Sequence, residues 1–317
     1  MPDRVRIYEV GPRDGLQNEA RPIPLEAKLG YVERLLRAGL REIEVTSFVS
    51  PRAIPQLADA DELLPRLRDL PAGSTARLPV LVPNERGLAR AEAAGAQALA
   101  VFTAATDAFT EHNIGMTIEQ SLAAFAPVLD RATQLGWWRR AYVSTAFGCP
   151  YTGAVDPHAA VAVARRLLEL GVDEVCFGDT IGVAVPGQVT ALAAAATAAG
   201  IRLDQLAFHF HDTRGTALAN VVAGLDAGVR CFDASTGGTG GCPYAPGAAG
   251  NLATEDLVYL LDASGFEHGV SLEGVLDAAR FITDVLGKPL LSKVGQAGGW
   301  DAATARPSDA SRSIRAR

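Results

Sequence analysis

The sequence predicts an α/β protein built as a (β/α)8 TIM barrel with one extra C-terminal helix. Short apolar segments, typical of buried strands, alternate with amphipathic or alanine-rich segments, and eight such pairs follow one another. Pro or Asp-Pro precedes several helical segments, and Ala-Gly, Leu-Gly or Ala-Ala-Gly follows them, as expected for helix starts and stops. An open doubly wound sheet is the second choice, because no GxGxxG motif follows the first strand.

The predicted elements follow one another with short connections. Strands are expected at residues 5–10, 41–47, 78–83, 98–104, 140–147, 173–179, 205–211 and 230–235. Helices are expected at 26–38, 54–69, 86–94, 117–135, 157–170, 186–199, 215–227 and 254–264, and the extra one at 272–286. We expect one barrel domain over residues 1–295. A flexible tail is expected over 296–317, since that segment mixes Gly, Ser, Ala and charges.

Composition limits the possible classes of protein. Hydrophobic residues make up 48% of the 317 residues, enough for the core of a barrel. The 29 basic and 36 acidic residues give a net charge of -7, which argues against nucleic acid as a partner. No apolar run reaches the ~20 residues of a membrane span, and the N-terminus lacks a signal-peptide pattern. The four cysteines, at positions 149, 176, 231 and 242, form no CxxC pair, so we expect a reduced cytoplasmic protein.

The seventh predicted strand carries the most informative motif, His209-Phe210-His211-Asp212. Side chains alternate along a strand, so His209 and His211 project from one face. Two imidazoles in an apolar strand need a partner, and a divalent metal is a natural one. Hydrogen bonds to carbonyls and water are the alternative. Asp212 points the other way and is interpreted as an orienter of backbone or of a ring N–H.

A metal site needs further ligands, and the barrel fold indicates where to look. Active sites of TIM barrels lie at the carboxyl ends of the strands. Asp14 follows the first strand, and Asn251 ends the glycine-rich loop after the eighth. With His209 and His211 they form a set of oxygen and nitrogen ligands that suits Mg²⁺ or Mn²⁺. Zinc is less favoured, because the set contains no thiolate.

Other polar residues at the strand ends are candidates for catalysis or substrate binding. Arg13 can stabilise an enolate or carboxylate oxygen, or can pair with Glu44. Asp179 is a possible base or hydroxyl acceptor, or a loop cap. Cys242 is a possible acid or nucleophile, or an inert thiol, and Cys149 in a similar motif competes with it. Substrate contacts are predicted for Arg13, Gln17, Glu44, Asn113, Arg140 and Thr180.

Six motifs, in this order between about residues 5 and 295, resemble those of the hydroxymethylglutaryl-CoA lyases, a family of metal-dependent TIM-barrel lyases. They read EVGPRDGLQNE, IEVTSFVSPRAIPQLADADEL, YVSTAFGCPYTG, GDTIGVAVPG, HFHDTRGTALAN and GGTGGCPYAPGAAGNLATEDLVYLL. The GGCPYAPGAAGN loop favours the lyases over the condensing synthases of the same superfamily.

The resemblance implies a retro-Claisen cleavage of 3-hydroxy-3-methylglutaryl-CoA to acetyl-CoA and acetoacetate. It implies that Arg13 stabilises the enolate of the departing acetyl-CoA and that Cys242 protonates it. The implied metal ligands are Asp14, His209, His211 and Asn251. The positions that shape or support the pocket in the family are matched here by Glu9, Glu44, Asn113, Arg140, Asp179, Thr180 and Glu255. The reaction needs a base for the hydroxyl proton, and Asp14, His209 and Asp179 all qualify.

Some residues depart from the animal members of the family. Arg214 stands where they have a tyrosine, and Phe210 where they have a smaller residue. The chain also lacks the peroxisomal tripeptide, the terminal cysteine motif and a mitochondrial presequence, which favours a bacterial cytoplasmic member. These differences leave open a related substrate with a longer 3-alkyl group.

Two further functional hypotheses belong to other classes. The first is a Claisen-type acyltransferase that joins acyl-CoA to a 2-oxo acid. The second is a catalytically silent barrel that binds acyl-CoA or serves in assembly. The joint presence of four metal ligands, Arg13 and Cys242 favours the lyase. A homodimer is expected from the resemblance alone.

Overall fold

The computed structural model describes residues 4–241 and 250–299, apart from the side chain of Ser74. The barrel wall consists of Arg6–Glu9, Glu42–Ile43 with Thr46–Ser47, Val80–Leu81, Ala98–Ala104, Trp138–Ser144, Glu174–Gly178, Leu206–His209 and Cys231–Ala234. The helices are α1 (Leu25–Arg37), α2 (Ala60–Arg68), α3 (Glu85–Ala93), α4 (Asp107–Ile114), α5 (Ile118–Gln134), α6 (Pro157–Glu169), α7 (Pro186–Ala198), α8 (Ala217–Asp226), α9 (Thr254–Ala263), α10 (Leu272–Leu286) and α11 (Lys293–Ala297).

The sheet closes on itself through the second strand, which is broken in the middle. Its first piece, Glu42–Ile43, pairs in parallel with the first strand, and its second piece, Thr46–Ser47, pairs in parallel with the third. Between the pieces, the amide of Glu44 donates to the carbonyl of Glu9 at 2.9 Å. The other strands pair in parallel in chain order, and the eighth pairs with the first. The predicted TIM barrel is therefore confirmed over the doubly wound sheet.

Apolar side chains pack on both sides of the barrel wall. The larger core fills the space between wall and helices and includes Phe177, Phe208 and Leu167. A smaller cluster inside the barrel includes Tyr8 and Tyr142. This arrangement leaves the upper end of the barrel interior, at the carboxyl ends of the strands, to polar residues.

The predicted elements agree with the structure to within a few residues, with several differences. One is an unpredicted antiparallel pair of two-residue strands, Gly148–Cys149 and Gly153–Ala154. The predicted helix 54–69 is a 3₁₀ turn followed by α2, and α4 and α11 were not predicted. The seventh strand ends at His209, although His211 still forms a bridge with Asn251. α11 runs past residue 295, and the predicted flexible tail from 300 onward lies outside the described residues.

The described residues bear on the expected reduced cysteines and on the expected lack of a membrane span. Cys149, Cys176 and Cys231 are buried and free, whereas Cys242 lies outside the described ranges. Within residues 4–241 and 250–299, no helix combines the length and the apolar character needed to cross a membrane.

Candidate metal centre and active site

Three of the four predicted metal ligands share one point at the mouth of the barrel. Asp14 lies in the helical turn Gly11–Gly15 that follows the first strand, His209 ends the seventh strand, and His211 lies two residues beyond it. One ligand atom from each of the three lies within 4.8 Å of the others. Asn251 joins them, because its amide Nδ2 donates to Oδ2 of Asp14 at 2.8 Å. The four residues therefore meet, although they come from distant parts of the chain.

The chemistry of this group fits a divalent metal. Nδ1 of His211 and Oδ1 of Asn251 are buried and have no hydrogen-bond partner among the described residues. Burial and the neighbouring His209 lower the pKa of His211 to about 4, so its imidazole is neutral and able to coordinate. Burial is the largest single influence on Asp14 and opposes its ionisation. Arg13, the two histidines and the bond from Asn251 together outweigh burial and hold the pKa of Asp14 below its ordinary value. A ligand set with a carboxylate, an amide oxygen and neutral imidazoles suits a hard or borderline cation.

Arg13 lies beside this group, and residues deeper in the barrel hold its guanidinium in place. Its Nε forms a short ion pair with Glu44, and its NH1 donates to Oδ1 of Asp14 at 2.8 Å. The hydroxyls of Tyr8 and Tyr142 also donate to Glu44, at 2.9 Å and 2.6 Å. Two tyrosine hydroxyls thus fix the carboxylate that fixes the guanidinium. Such preorganisation is what electrostatic stabilisation of a developing charge requires.

A cavity of about 600 Å³ opens above these residues. It is lined by Arg13, Asp14, His209 and His211, and also by three predicted substrate-binding residues, Gln17, Asn113 and Thr180. Gln17 donates to Oδ1 of Asp14 at 2.8 Å. Phe102, Leu81 and Ile54 supply an apolar wall. The size and the mixed lining suit a small ligand with both polar and apolar parts.

Two residues predicted to bind substrate do not line this cavity. Glu44 is fully buried under Arg13, and Arg140 is fully buried inside the barrel, where it pairs with Glu174 and Asp233. Their predicted role as substrate contacts is therefore corrected to a supporting one. Residues 44 and 140 lie deeper in the barrel than the carboxyl ends of the strands, so their side chains do not reach the cavity. Glu44 acts on the cavity through the two lining residues that it bonds, Arg13 and Tyr142.

Asp179 and Thr180 follow the sixth strand and differ in their placement. The carboxylate of Asp179 accepts the amides of Val183 and Ala184 at 2.8 Å and 3.1 Å, which is the loop-cap arrangement. Burial raises the pKa of Asp179 to about 6. Thr180 lines the cavity, and its hydroxyl accepts the amide of Thr145, which has a positive φ of 53°. A β-branched residue rarely adopts this conformation, so Thr180 supports a strained rim.

The loop that carries Cys242 is only partly described. Gly241 lines the cavity, whereas Cys242 and the residues up to 249 lie outside the described ranges. Gly240 has a φ of +100°, and a Cβ there would come within 2.6 Å of Nδ2 of Asn251. This position requires glycine for both reasons.

Two buried glutamates hold the start of the same loop. Glu9 accepts hydrogen bonds from the backbone and hydroxyl of Thr236 and from the hydroxyl of Thr254. Glu255 accepts the amide of Gly237 at 3.0 Å and the hydroxyl of Ser292. Neither glutamate lines the cavity, in keeping with the supporting role that the resemblance implies.

The two residues that depart from the animal pattern lie away from the cavity. Arg214 donates to the carbonyls of Ile181 and Gly182, both at 2.8 Å. Phe210 points outward and stacks on Phe208 with ring centroids 5.4 Å apart. Neither lines the cavity, so neither changes its shape by direct contact.

The sequence alone assigned no role to three residues of the site. Asp233 hydrogen-bonds His209, Tyr142 lines the cavity and holds Glu44, and His112 lines the cavity from α4. Asp233 did leave a signal, because it is the one acid in the apolar strand RCFDAS. His112 left none, since α4 was not predicted.

The fold and this site define a TIM-barrel protein with a candidate divalent-metal centre at the carboxyl ends of its strands. Comparison with known proteins gives the family. The HMGL-like family model matches residues 4–282, and the chain belongs to that family.

Three individual relatives are similar over nearly their whole length. Hydroxymethylglutaryl-CoA lyase of Pseudomonas mevalonii is 48% identical over 293 residues, covering 92% of this chain and 96% of the relative. The crystal structure of hydroxymethylglutaryl-CoA lyase from Pseudomonas aeruginosa superposes with a TM-score of 0.90 at 45% identity, covering 94% and 98%. An HMG-CoA lyase from Acinetobacter baumannii, in complex with coenzyme A and 3-methylmalate, gives a TM-score of 0.88 at 35% identity, covering 96% and 98%.

Proposed function

We propose that this protein is a divalent-metal-dependent carbon–carbon lyase that cleaves 3-hydroxy-3-methylglutaryl-CoA to acetyl-CoA and acetoacetate. The observation that carries the proposal is the meeting of Asp14, His209 and His211 on the wall of a cavity that Arg13 also lines. Relatives at 48% and 45% identity bear the name of this lyase. A relative that binds coenzyme A together with a hydroxy acid supports an acyl-CoA substrate.

Mg²⁺ or Mn²⁺ is the proposed cofactor. Asp14, His209, His211 and Asn251 would hold it, and the orphaned Nδ1 of His211 and Oδ1 of Asn251 support that assignment. A divalent cation at this point lowers the pKa of the substrate's tertiary hydroxyl, so that a weak base suffices.

Asp14 is the proposed base among the three candidates. Asp179 is 1% exposed, does not line the cavity and already accepts two backbone amides. His209 has its Nδ1 directed at Asp233, so a metal on Nε2 would leave it no lone pair for a proton. Asp14 also accepts hydrogen bonds, but unlike Asp179 it lines the cavity, and its pKa is held below the ordinary value, so it is ionised.

Bond cleavage follows the loss of the hydroxyl proton. The carbinol carbon becomes the ketone carbon of acetoacetate, and its bond to the methylene carbon of the thioester arm breaks. The electron pair moves to the thioester carbonyl oxygen as an enolate. Arg13 is proposed to bind that oxygen, since Glu44 holds its guanidinium against the cavity. A proton then returns to the methylene carbon, and Cys242 is the proposed donor because Gly241 before it lines the cavity.

The direct test is to incubate the protein with Mg²⁺ and 3-hydroxy-3-methylglutaryl-CoA and to assay both acetoacetate and acetyl-CoA. Equal amounts of both products, lost on chelation and restored by Mg²⁺ or Mn²⁺, are expected. Release of free CoA from acetyl-CoA plus 2-oxo acids, without lyase activity, would favour a condensing enzyme instead. Protein that binds no divalent ion would favour a silent barrel. A parallel assay with longer 3-alkyl analogues distinguishes the related substrates.

The proposal includes a homodimer that works in the cytoplasm, on the basis of the family resemblance. Sedimentation velocity of the full chain tests the oligomeric state, and a single species of monomer mass would contradict the dimer. Fractionation of the source cells tests the location.

A further inference from the structure

The barrel interior beneath the candidate metal centre is charged where apolar layers usually pack. Arg140, Glu174 and Asp233 come from the fifth, sixth and eighth strands, and each is at most 2% exposed. Arg140 pairs with Asp233 at 2.6 Å and with Glu174 at 2.9 Å. Buried ion pairs of this kind often give no net stability over an apolar packing. Stability alone therefore does not account for them.

Asp233 is the member of this charged group that contacts a proposed metal ligand. Oδ2 of Asp233 lies 3.1 Å from Nδ1 of His209, and the two residues face each other in the register of the seventh and eighth strands. An ionised carboxylate accepts hydrogen bonds and has none to donate, so this contact places the hydrogen of a neutral His209 on Nδ1. The lone pair is then on Nε2, the nitrogen left for a metal.

Arg140 fixes the direction in which Asp233 points. Its NH2 and NH1 reach Oδ1 and Oδ2 of Asp233 at 2.6 Å and 3.3 Å, so both carboxylate oxygens are engaged. The thiol of Cys176 lies 3.6 Å from Oδ2 as well. Arg140 itself is held over the ring of Tyr8, 3.7 Å from its centroid. The carboxylate cannot turn away from His209 without breaking these contacts.

The second histidine has no such support. Nδ1 of His211 is buried and finds no hydrogen-bond partner in the described part of the chain. The two imidazoles, whose ring centroids are 5.2 Å apart, therefore differ in the hydrogen bonding of their Nδ1 atoms. Within the described residues, only His209 of the two has a contact that sets its tautomer before a metal binds.

We propose that Asp233 is a positioning residue that fixes His209 as its Nδ1–H tautomer, and that Arg140 orients Asp233 for this purpose. The inference rests on the proposed metal site. Asp233 acts through His209 and does not touch the cavity.

Asp233→Asn gives a sharp test, because an amide has only one acceptor oxygen. Arg140 would take that oxygen, since it is the stronger donor and lies nearest Oδ1. The amide NH2 would then face Nδ1 of His209 and drive its proton to Nε2. A histidine protonated on Nε2 cannot coordinate through that atom, so metal affinity should fall by about 10- to 100-fold.

The primary measurement is long-range ¹H–¹⁵N NMR of the metal-free protein in mildly alkaline buffer, which distinguishes the two neutral tautomers. The chain has five histidines, so single His→Gln variants assign each signal. Unmodified protein should show Nδ1–H at His209, and Asp233→Asn should show Nε2–H. Isothermal titration of both with Mn²⁺ gives the affinities. Neither measurement needs acyl-CoA, so the inference and the proposed lyase activity can fail separately.

Asp262→Asn is the matched control. Asp262 forms the other His–Asp pair of the described chain, with Nε2 of His268 at 2.9 Å, and that pair lies away from the cavity. The Asp262→Asn variant should leave both the tautomer of His209 and the Mn²⁺ affinity unchanged. An Nε2–H signal for His209 in the unmodified protein would overturn the inference even if Asp233→Asn failed to fold. A folded Asp233→Asn with unchanged Mn²⁺ affinity would also overturn it.

Discussion

Asn251 donates its side-chain amide to the carboxylate of Asp14 at 2.8 Å, across 237 positions of the chain. The same Nδ2 donates to the carbonyl of Thr239 at 3.1 Å, so the amide cannot flip without losing two acceptors. Its Oδ1 is therefore fixed in place, buried and without a partner among the described residues. A side chain tied this way fits a metal ligand better than a simple helix cap.

Asn251→Ala should weaken Mn²⁺ binding by at least about tenfold, because it removes the Oδ1 ligand and the bond that orients Asp14. Isothermal titration measures the change. Asn84→Ala is the control, since Asn84 caps α3 and does not line the cavity. It should cost about 1 kcal/mol of stability and leave Mn²⁺ affinity alone. Equal affinities in the Asn251 variant and the unmodified protein would remove Asn251 from the ligand set.

His211→Ala should abolish metal binding and turnover while the barrel still folds. The imidazole lies at the mouth of the barrel, where its loss leaves space next to the cavity rather than in the core. Elemental analysis after dialysis, with circular dichroism for the fold, tests this. The control is His268→Ala, because His268 lies away from the cavity. This variant should still bind the metal at the proposed site. Full turnover of His211→Ala without metal would refute the ligand role.

Arg13→Lys keeps the charge but loses the planar fork that reaches Glu44 and Asp14 together. We expect kcat to fall on the order of 10²- to 10³-fold, as for loss of one donor to a developing oxyanion. Steady-state kinetics measures it. The control is Arg166→Lys, whose ion pair with Glu119 is exposed on the outside of the barrel. Near-normal turnover in Arg13→Lys would reduce Arg13 to a structural role.

The strands and most helices could be predicted because buried parallel strands are continuous apolar runs between helix start and stop signals. α4 could not, since TDAFTEHNI buries only Phe109 and Thr110 and shows no periodic apolar face. Residues at the rim, such as Asp14 and His211, could be found from their place at strand ends. The depth of Arg140 could not, because its partner Asp233 is on a strand that only the closed barrel brings near.

Cys242→Ser should reduce turnover by about 10²-fold or more if Cys242 is the acid that protonates the enolate, because a hydroxyl is a much weaker acid than a thiol. Cys149→Ser is a matched control, since Cys149 stands in the similar motif GCPYTG. Its sulfur accepts a hydrogen bond from the hydroxyl of Thr106 rather than contacting the proposed reacting groups. The same steady-state assay serves both. Comparable rates in the two variants would move the role of acid to another group.

Glu255 predicts a pH dependence of stability that is separate from catalysis. Burial raises its pKa to about 7 in the folded protein, against an ordinary value of 4.5 for a glutamate side chain. Below pH 4.5 the group is protonated whether the chain is folded or not. Between 4.5 and 7 the unfolded chain releases the proton while the folded protein keeps it, so stability falls as pH rises. Above about 7 the folded protein ionises too, and the loss levels off near about 3 kcal/mol.

Glu255→Gln should remove this loss. A glutamine can still accept the amide of Gly237 and bond to Ser292, but it carries no charge to bury. The variant should match the unmodified protein at pH 4.5 and be the more stable of the two at pH 8. Urea unfolding at several pH values between these limits measures the difference. Glu62→Gln, at an exposed position on α2, should follow the unmodified protein throughout. Parallel stability curves for Glu255→Gln and the unmodified protein would show that Glu255 is already ionised in the fold at low pH.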